Sequence, residues 1–251
     1  MKKIFNVVAF SIMLFFASCE QDGLGWKADG IGAFSVSADK QVTFSPSNLS
    51  YNEETNQWSF LENQLREGWE LGRNSNIRDV FGLKHLEDNG YQDWGVNKIG
   101  NDDPNTWRTL TYDEWYYLQN SRTNANDLCG VAQVNGVNGL IFLPDNWTCP
   151  AGVTFKSGFH NSSDDAEYYA AYQTFTADQW SKLEKSGAVF LPATGYRGSS
   201  NVFSVQSGGY WSATEYLSYF VRILAFSSGG ATMSLSSRYH GRSVRLVKDV
   251  Q

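Results

Sequence analysis

Histidine is scarce in this chain of 251 residues. Only His85, His160 and His240 occur, with neither HExxH nor HxxEH spacing, which argues against a histidine-based zinc site. No GxSxG turn and no P-loop is present, so the local signatures of serine hydrolases and P-loop nucleotidases are missing. Cysteine is limited to Cys19, Cys129 and Cys149. There is no basic surplus: the formal net charge is −6, which argues against nucleic acid or an anionic lipid surface as partner. Internal repeats and low-complexity tracts are absent. No nucleophile, base or metal cluster emerges from these counts, so the chain is expected not to be an enzyme and to need no cofactor.

The longest apolar run, VVAFSIMLFF (7–16), falls short of the roughly 20 residues a bilayer-spanning helix needs. It follows Lys2 and Lys3 and precedes Ala17-Ser18-Cys19, the order of a cleavable export signal. The cysteine directly after Ala-Ser resembles a lipobox, in which Cys19 is diacylated and becomes the new N-terminus. Phe16 stands where leucine is usual, which predicts slower cleavage. An ordinary secretory signal ending near Ser18 is the alternative. Glu20 and Asp22 resemble the acidic export tags of surface lipoproteins, with a short acidic linker as the plainer reading. The expected division is a lipoprotein signal peptide over 1–18, a lipidated Gly-rich tether over 19–32 and a single domain over 33–251. The expected place is the outer membrane, lipid-anchored and facing the cell surface, with the membrane touched through the anchor alone.

The domain reads as α+β. AFSVS (33–37) and QVTFS (41–45) predict one hairpin, and NLSY (48–51) with QWSF (57–60) a second. Residues 62–106 are rich in Asn, Asp and Gly and read as loop. Thr111-x-x-Glu114 and Thr176-x-x-Gln179 are capping boxes. The first opens a helix through Trp115 and Leu118, the second a helix through Trp180 and Leu183 that stops at Gly187. Asn135-Gly136, inside VAQVNGVNGLIFL (131–143), is a strong hairpin-turn signal. In the last third, YFVRILAF (219–226) is apolar on both alternating faces and predicts a covered central strand. Ser243 to Lys248 alternates as a half-buried closing strand.

GYWSATE (209–215), the strand after it and RYHGRSVRLVKD (238–249) resemble the C-terminal signature of the Fibrobacter succinogenes major paralogous domain. That family is related to the formylglycine-generating (sulfatase-modifying) enzymes and, more distantly, to C-type lectin-like folds. WRTLTYDEWYYL (107–118) resembles the superfamily's Trp-Arg-x-x-Thr-x-x-Glu-Trp element. GLIFLPDNWTCPAG (139–152) and AVFLPATGYR (188–197) look like middle blocks of lipoproteins from Bacteroides-type bacteria. The resemblance implies a C-type lectin-like fold of short antiparallel strands, two short helices and long loops. The oxidase members use paired cysteines in the C-terminal lobe, and this chain has none there, so that activity is not implied.

The expected function is that of a cell-surface lipoprotein acting as a non-catalytic binding module for a glycan or protein ligand. The alternative is a structural component of an extracellular or pilus-like envelope assembly. Tyr, Ser, Gly and Asn recur in recognition loops, because Tyr buries much area at little entropic cost and Ser and Asn adapt their hydrogen bonds. They crowd 196–201, 215–218 and 238–240, which names Arg197, Asn201, Tyr216, Tyr219 and Tyr239 as ligand-binding residues. Ordinary solvent loops are the plainer reading. Asp102-Asp103 and Asp164-Asp165-Glu167 could ligate a structural Ca²⁺, with solvated acidic loops as the alternative. Once Cys19 is acylated, Cys129 and Cys149 are the remaining pair. Two cysteines in an exported domain predict a disulfide, which would stabilise by about 3 kcal/mol, against two free thiols.

Overall fold

The structure is a computed structural model, and it describes residues 32–52, 54–66, 93–160, 167–198, 201–203, 206–217, 219–238 and 240–250. The architecture is α+β, dominated by antiparallel sheets. In chain order the first strands are β1 (Phe34–Ser35), β2 (Gln41–Phe44), β3 (Leu49–Asn52), β4 (Gln57–Phe60) and β5 (Arg108–Thr109). Then come β6 (Cys129–Val134), β7 (Val137–Phe142), β8 (Thr174–Phe175), β9 (Val189–Pro192), β10 (Tyr196–Gly198) and β11 (Asn201–Phe203). The last third holds β12 (Gly208–Tyr216), β13 (Phe220–Ser227), β14 (Gly230–Ser237) and β15 (Leu246–Asp249). Helices are α1 (Tyr112–Tyr116), α2 (Glu167–Tyr172) and α3 (Ala177–Lys185).

Two four-stranded sheets, β1-β2-β15-β5 and β8-β6-β7-β9, stand with the three-stranded sheet β12-β13-β14 and the hairpins β3-β4 and β10-β11. Both early hairpins pair as their sequences indicate, Phe34 against Val42 and Leu49 against Phe60. Asn135 and Gly136 turn β6 into β7 with φ of 48° and 84°, the left-handed pair that a two-residue hairpin loop needs. Both capping boxes close. Thr111 Oγ1 accepts from Glu114 N–H while the Glu114 carboxylate accepts from Thr111 N–H, and Thr176 and Gln179 do the same. Gly187, at φ 91°, ends the turn after α3.

Three apolar clusters form the interior. Leu140 and Phe142 of β7 face a central cluster with Trp115, Phe44, Tyr210 and Leu224, while Ile141 and Leu143 face a second with Trp180, Leu183 and Phe190. The alternation along one strand therefore feeds cores on both sides of its sheet. The third cluster gathers Trp94, Trp107, Trp211, Val221 and Ile223 under the last sheet. Leu224 and Phe226 point to the first cluster and Val221 and Ile223 to the third, so β13 is the doubly covered central strand its sequence indicates.

Four expectations need correction. Among the described residues there are fifteen strands and a third α-helix, α2, beyond the two the sequence indicates. Tyr219 lies in the turn before β13, exposed, and the strand begins at Phe220. The closing segment is buried from Ser243 through Val247 rather than on one face, because Arg245 finds three interior acceptors. Cys129 and Cys149 are free thiols, not a disulfide. Cys129 points into the central cluster, whereas Trp147, Val153 and Phe155 fold the segment around Cys149 against the second cluster, so the β6–β7 sheet separates the two sulfurs.

Candidate functional site

The β12–β13 hairpin carries the most exposed apolar side chains of the described residues. Its turn places Leu217 71% exposed and Tyr219 59% exposed, with Tyr216 and Phe220 also on the surface. Leu217 adopts φ 57°, an uncommon left-handed conformation for a branched residue that closes this turn. The register between β12 and β13 slips between Trp211 and Glu215, so Ser212 to Thr214 bulge out of the ladder. A bulge re-aims the residues around it. Here Ala213 N–H donates to Leu110 O at 2.8 Å and Thr214 Oγ1 accepts from Tyr112 N–H at 2.9 Å, which ties the start of α1 to the hairpin.

That tie brings Tyr112 over Arg222. The Arg222 guanidinium lies 4.9 Å from the Tyr112 ring centre and 4.3 Å from that of Tyr216, and Tyr116 stacks on Tyr112 at 6.2 Å. The result is a ladder of Tyr116, Tyr112, Arg222 and Tyr216, each layer held by the next through ring stacking or cation–π attraction. Glu215 pairs with Arg238 at 3.0 Å beside the hairpin's turn.

On the opposite face of the same sheet lies an open groove of about 340 Å³. Ile223 and Ala225 of β13 and Thr232 and Ser234 of β14 line it, with Tyr196 and Arg242 beside them. Tyr196 is fixed between Phe203, stacked at 5.3 Å, and His240 at 4.6 Å. Arg242 crosses Gly209 so closely that a Cβ there would sit 2.0 Å from Nη1, and its Nε donates to Ser236 Oγ at 2.7 Å. The guanidinium lies 5.0 Å from the Tyr196 ring centre. Burial pushes its pKa down to about 10. Burial, and then the nearby Arg242 charge, also lower the pKa of His240.

The residues named from sequence fall into two places. Tyr216 and Tyr219 share the exposed hairpin end. Arg197 lies in β10, where its backbone pairs with Gly241, and Asn201 opens β11 across from Gly198. Arg238 and Gly241 link the two places, since Arg238 N–H donates to Tyr219 O at 3.0 Å and Gly241 N–H to Arg197 O at 2.8 Å. Tyr239 and Cys19 lie outside the described residues, as do Asp164 and Asp165. The Asp102 carboxylate accepts from the Trp107 indole N–H at 2.9 Å, and among the described residues no three acidic, His or Cys side chains converge as a metal site. Sequence reading missed Arg222, Tyr112 and Arg242. The one available signal was Arg222 itself, a charge inside an otherwise apolar strand.

One contact has the composition of a catalytic pair. Ser236 Oγ lies 3.4 Å from His240 Nδ1. That is long for an O–H···N hydrogen bond. The hydroxyl already accepts from Arg242, and among the described residues no carboxylate orients the imidazole. No known protein family, no curated protein and no solved structure matches this chain.

Proposed function

We propose that the chain is a lipid-anchored, surface-displayed binding module of C-type lectin-like layout, without catalytic activity, and that its ligand is a glycan or a protein. The resemblance to the Fibrobacter succinogenes major paralogous domain supports the layout, and Lys2, Lys3, the apolar run and Ala17-Ser18-Cys19 support the anchor. The observation that carries the binding role is the ladder around Arg222, which lies beside exposed Leu217 and Tyr219. Contiguous exposed apolar side chains mark interaction sites. Rings already locked by stacking lose little freedom when a ligand covers them.

The test is a binding screen of the full-length protein in detergent micelles against a glycan array and a panel of extracellular proteins. A ligand whose capture drops at least ten-fold in Tyr216→Ala and Tyr219→Ala, with unchanged melting temperature, supports the reading. Capture unaffected by both variants removes the hairpin as the binding face. Labelling with palmitate tests the anchor, and Cys19→Ala should abolish it.

A second reading has one observation of its own. β14 is an eight-residue edge strand that pairs with β13 and, among the described residues, with no second strand, while Gln119 Nε2 donates to its Ala231 O at 2.6 Å. Such an edge can accept a strand from another subunit, which favours a component of an envelope assembly. Co-purification of a second envelope protein, lost on a Thr232→Pro substitution, would select that reading.

A further inference from the structure

We propose that the groove lined by β13, β14 and Tyr196 is a subsite for a carboxylate-bearing sugar ring, with Arg242 as the anion partner. This rests on the reading of the chain as a binding module and names a ligand class for it.

The first argument is the partner Arg242 lacks. Arg122 gives its guanidinium hydrogens to Leu118 O, Leu143 O, Leu128 O and Asp145. Arg245 gives its own to Asn48, Ser45 O and Phe190 O. Arg242 uses Nε alone, on Ser236, and among the described residues its two terminal nitrogens donate to nothing and no carboxylate pairs with it. The chain carries 26 acidic residues against 20 basic ones, so carboxylates are not in short supply. A half-buried guanidinium without an anion is unfavourable, and a bound carboxylate accepting two parallel N–H bonds relieves that.

The second argument is the shape and chemistry around it. Ala225 and Gly230 line the groove with little side chain to fill it, and Gly209 leaves the space the Arg242 guanidinium occupies beside it. Its volume is at the lower end for small-ligand sites, enough for a sugar ring and part of a second. Thr232 and Ser234 supply hydroxyls that donate or accept, which suits a polyhydroxyl ligand. The half-buried Ala225 side chain and the uncovered rim of the Tyr196 ring offer apolar surface for the C–H face of a sugar. The wall is prearranged, since Phe203 and His240 hold Tyr196 and Tyr196 holds Arg242.

The experiment is isothermal titration of full-length protein in detergent micelles with 3′-sialyllactose, lactose, tetragalacturonate, its carboxyl-reduced counterpart and inorganic sulfate. We expect at least one acidic sugar to bind ten-fold or more tighter than its neutral counterpart, and Arg242→Gln to remove the difference. Gly209→Ala forces the guanidinium aside without removing its charge and should cut the same difference several-fold, which carries the test if Arg242→Gln fails to fold. Equal binding of acidic and neutral sugars overturns the subsite, as does a preference that survives both variants. Sulfate binding as tightly as the acidic sugars overturns the sugar assignment. If no sugar binds while a protein ligand is captured through Tyr216 and Tyr219, the subsite falls and the module stands. If the full screen and the titrations are both empty, both fall.

Discussion

Arg245 and Arg242 are three residues apart and live in opposite circumstances. Arg245 is fully buried at the junction of three elements, and each nitrogen of its guanidinium meets an acceptor, from Asn48, Ser45 O and Phe190 O. Arg242 lies along the groove with a ring beneath it and one hydroxyl at its Nε. Burial depresses the pKa of both to about 10, so desolvation does not separate them. The difference is in what receives the hydrogens. A buried guanidinium whose acceptors are all supplied by the chain fixes the fold, whereas one left with free donors beside a cavity is arranged for something that arrives from outside. The same contrast divides the molecule. Arg108 meets Glu114 through two bonds of 2.7 and 2.8 Å, and Arg122 meets Asp145, whereas Arg222 at the open hairpin rests between two tyrosines.

The strongest way to break this comparison is to truncate the interior member. Arg245→Ala leaves three acceptors without a donor and a void where the side chain was, and should destabilise by about 3 kcal/mol or more in urea unfolding. Arg242→Ala loses one hydrogen bond and one ring contact and should cost about 1 kcal/mol. Equal losses would mean that Arg242 is as structural as Arg245.

Much of the fold was legible because its signals are local. Thr111 with Glu114, Thr176 with Gln179 and Asn135-Gly136 act within four residues, and each does in the structure what its chemistry requires. The apolar alternation of β13 is equally local. The arginines were not legible, since Arg245 reads as an exposed position of an alternating strand until Asn48, nearly 200 residues away, is folded against it. The cysteines misled for the same reason. Their number and the export signal favour a bond, but only the sheet between them decides that they cannot meet. Of the five positions expected to bind ligand, Tyr216 and Tyr219 lie at the ladder's exposed end, while the Arg222 and Tyr112 that hold it come together only through the β12 bulge.

The Thr111 box sharpens the interior side at a smaller scale. Thr111→Ala should cost about 1 kcal/mol through loss of the N-cap. Glu114 adds a pH dependence. Burial pushes its carboxyl up, but the Arg108 guanidinium, the Thr111 N–H and Lys40 outweigh it and hold it below its ordinary value near 4.5. A carboxyl with a depressed folded pKa contributes stability that is complete above its unfolded value and lost as pH falls through the folded one. Unfolding measured from pH 6 downward should therefore show a loss setting in below about pH 4.5, and Glu114→Gln should flatten it.

The smallest effect on stability, and the cleanest separation of inside from outside, comes from the two thiols. Cys129 is buried in β6, and burial pushes its thiol up to about 12, with Arg122 pulling it the other way, so little thiolate exists at neutral pH and no reagent reaches it. Cys149 is exposed, with Sγ 3.2 Å from Val153 O. Iodoacetamide at pH 8 should alkylate Cys149 within minutes in the native protein and Cys129 only after unfolding, read by mass of the separate peptides. Cys149→Ser should leave stability within about 0.5 kcal/mol, as surface changes do. A disulfide between the two would protect both from alkylation until reduction. Equal rapid labelling of both would mean that β6 does not hold Cys129 inside.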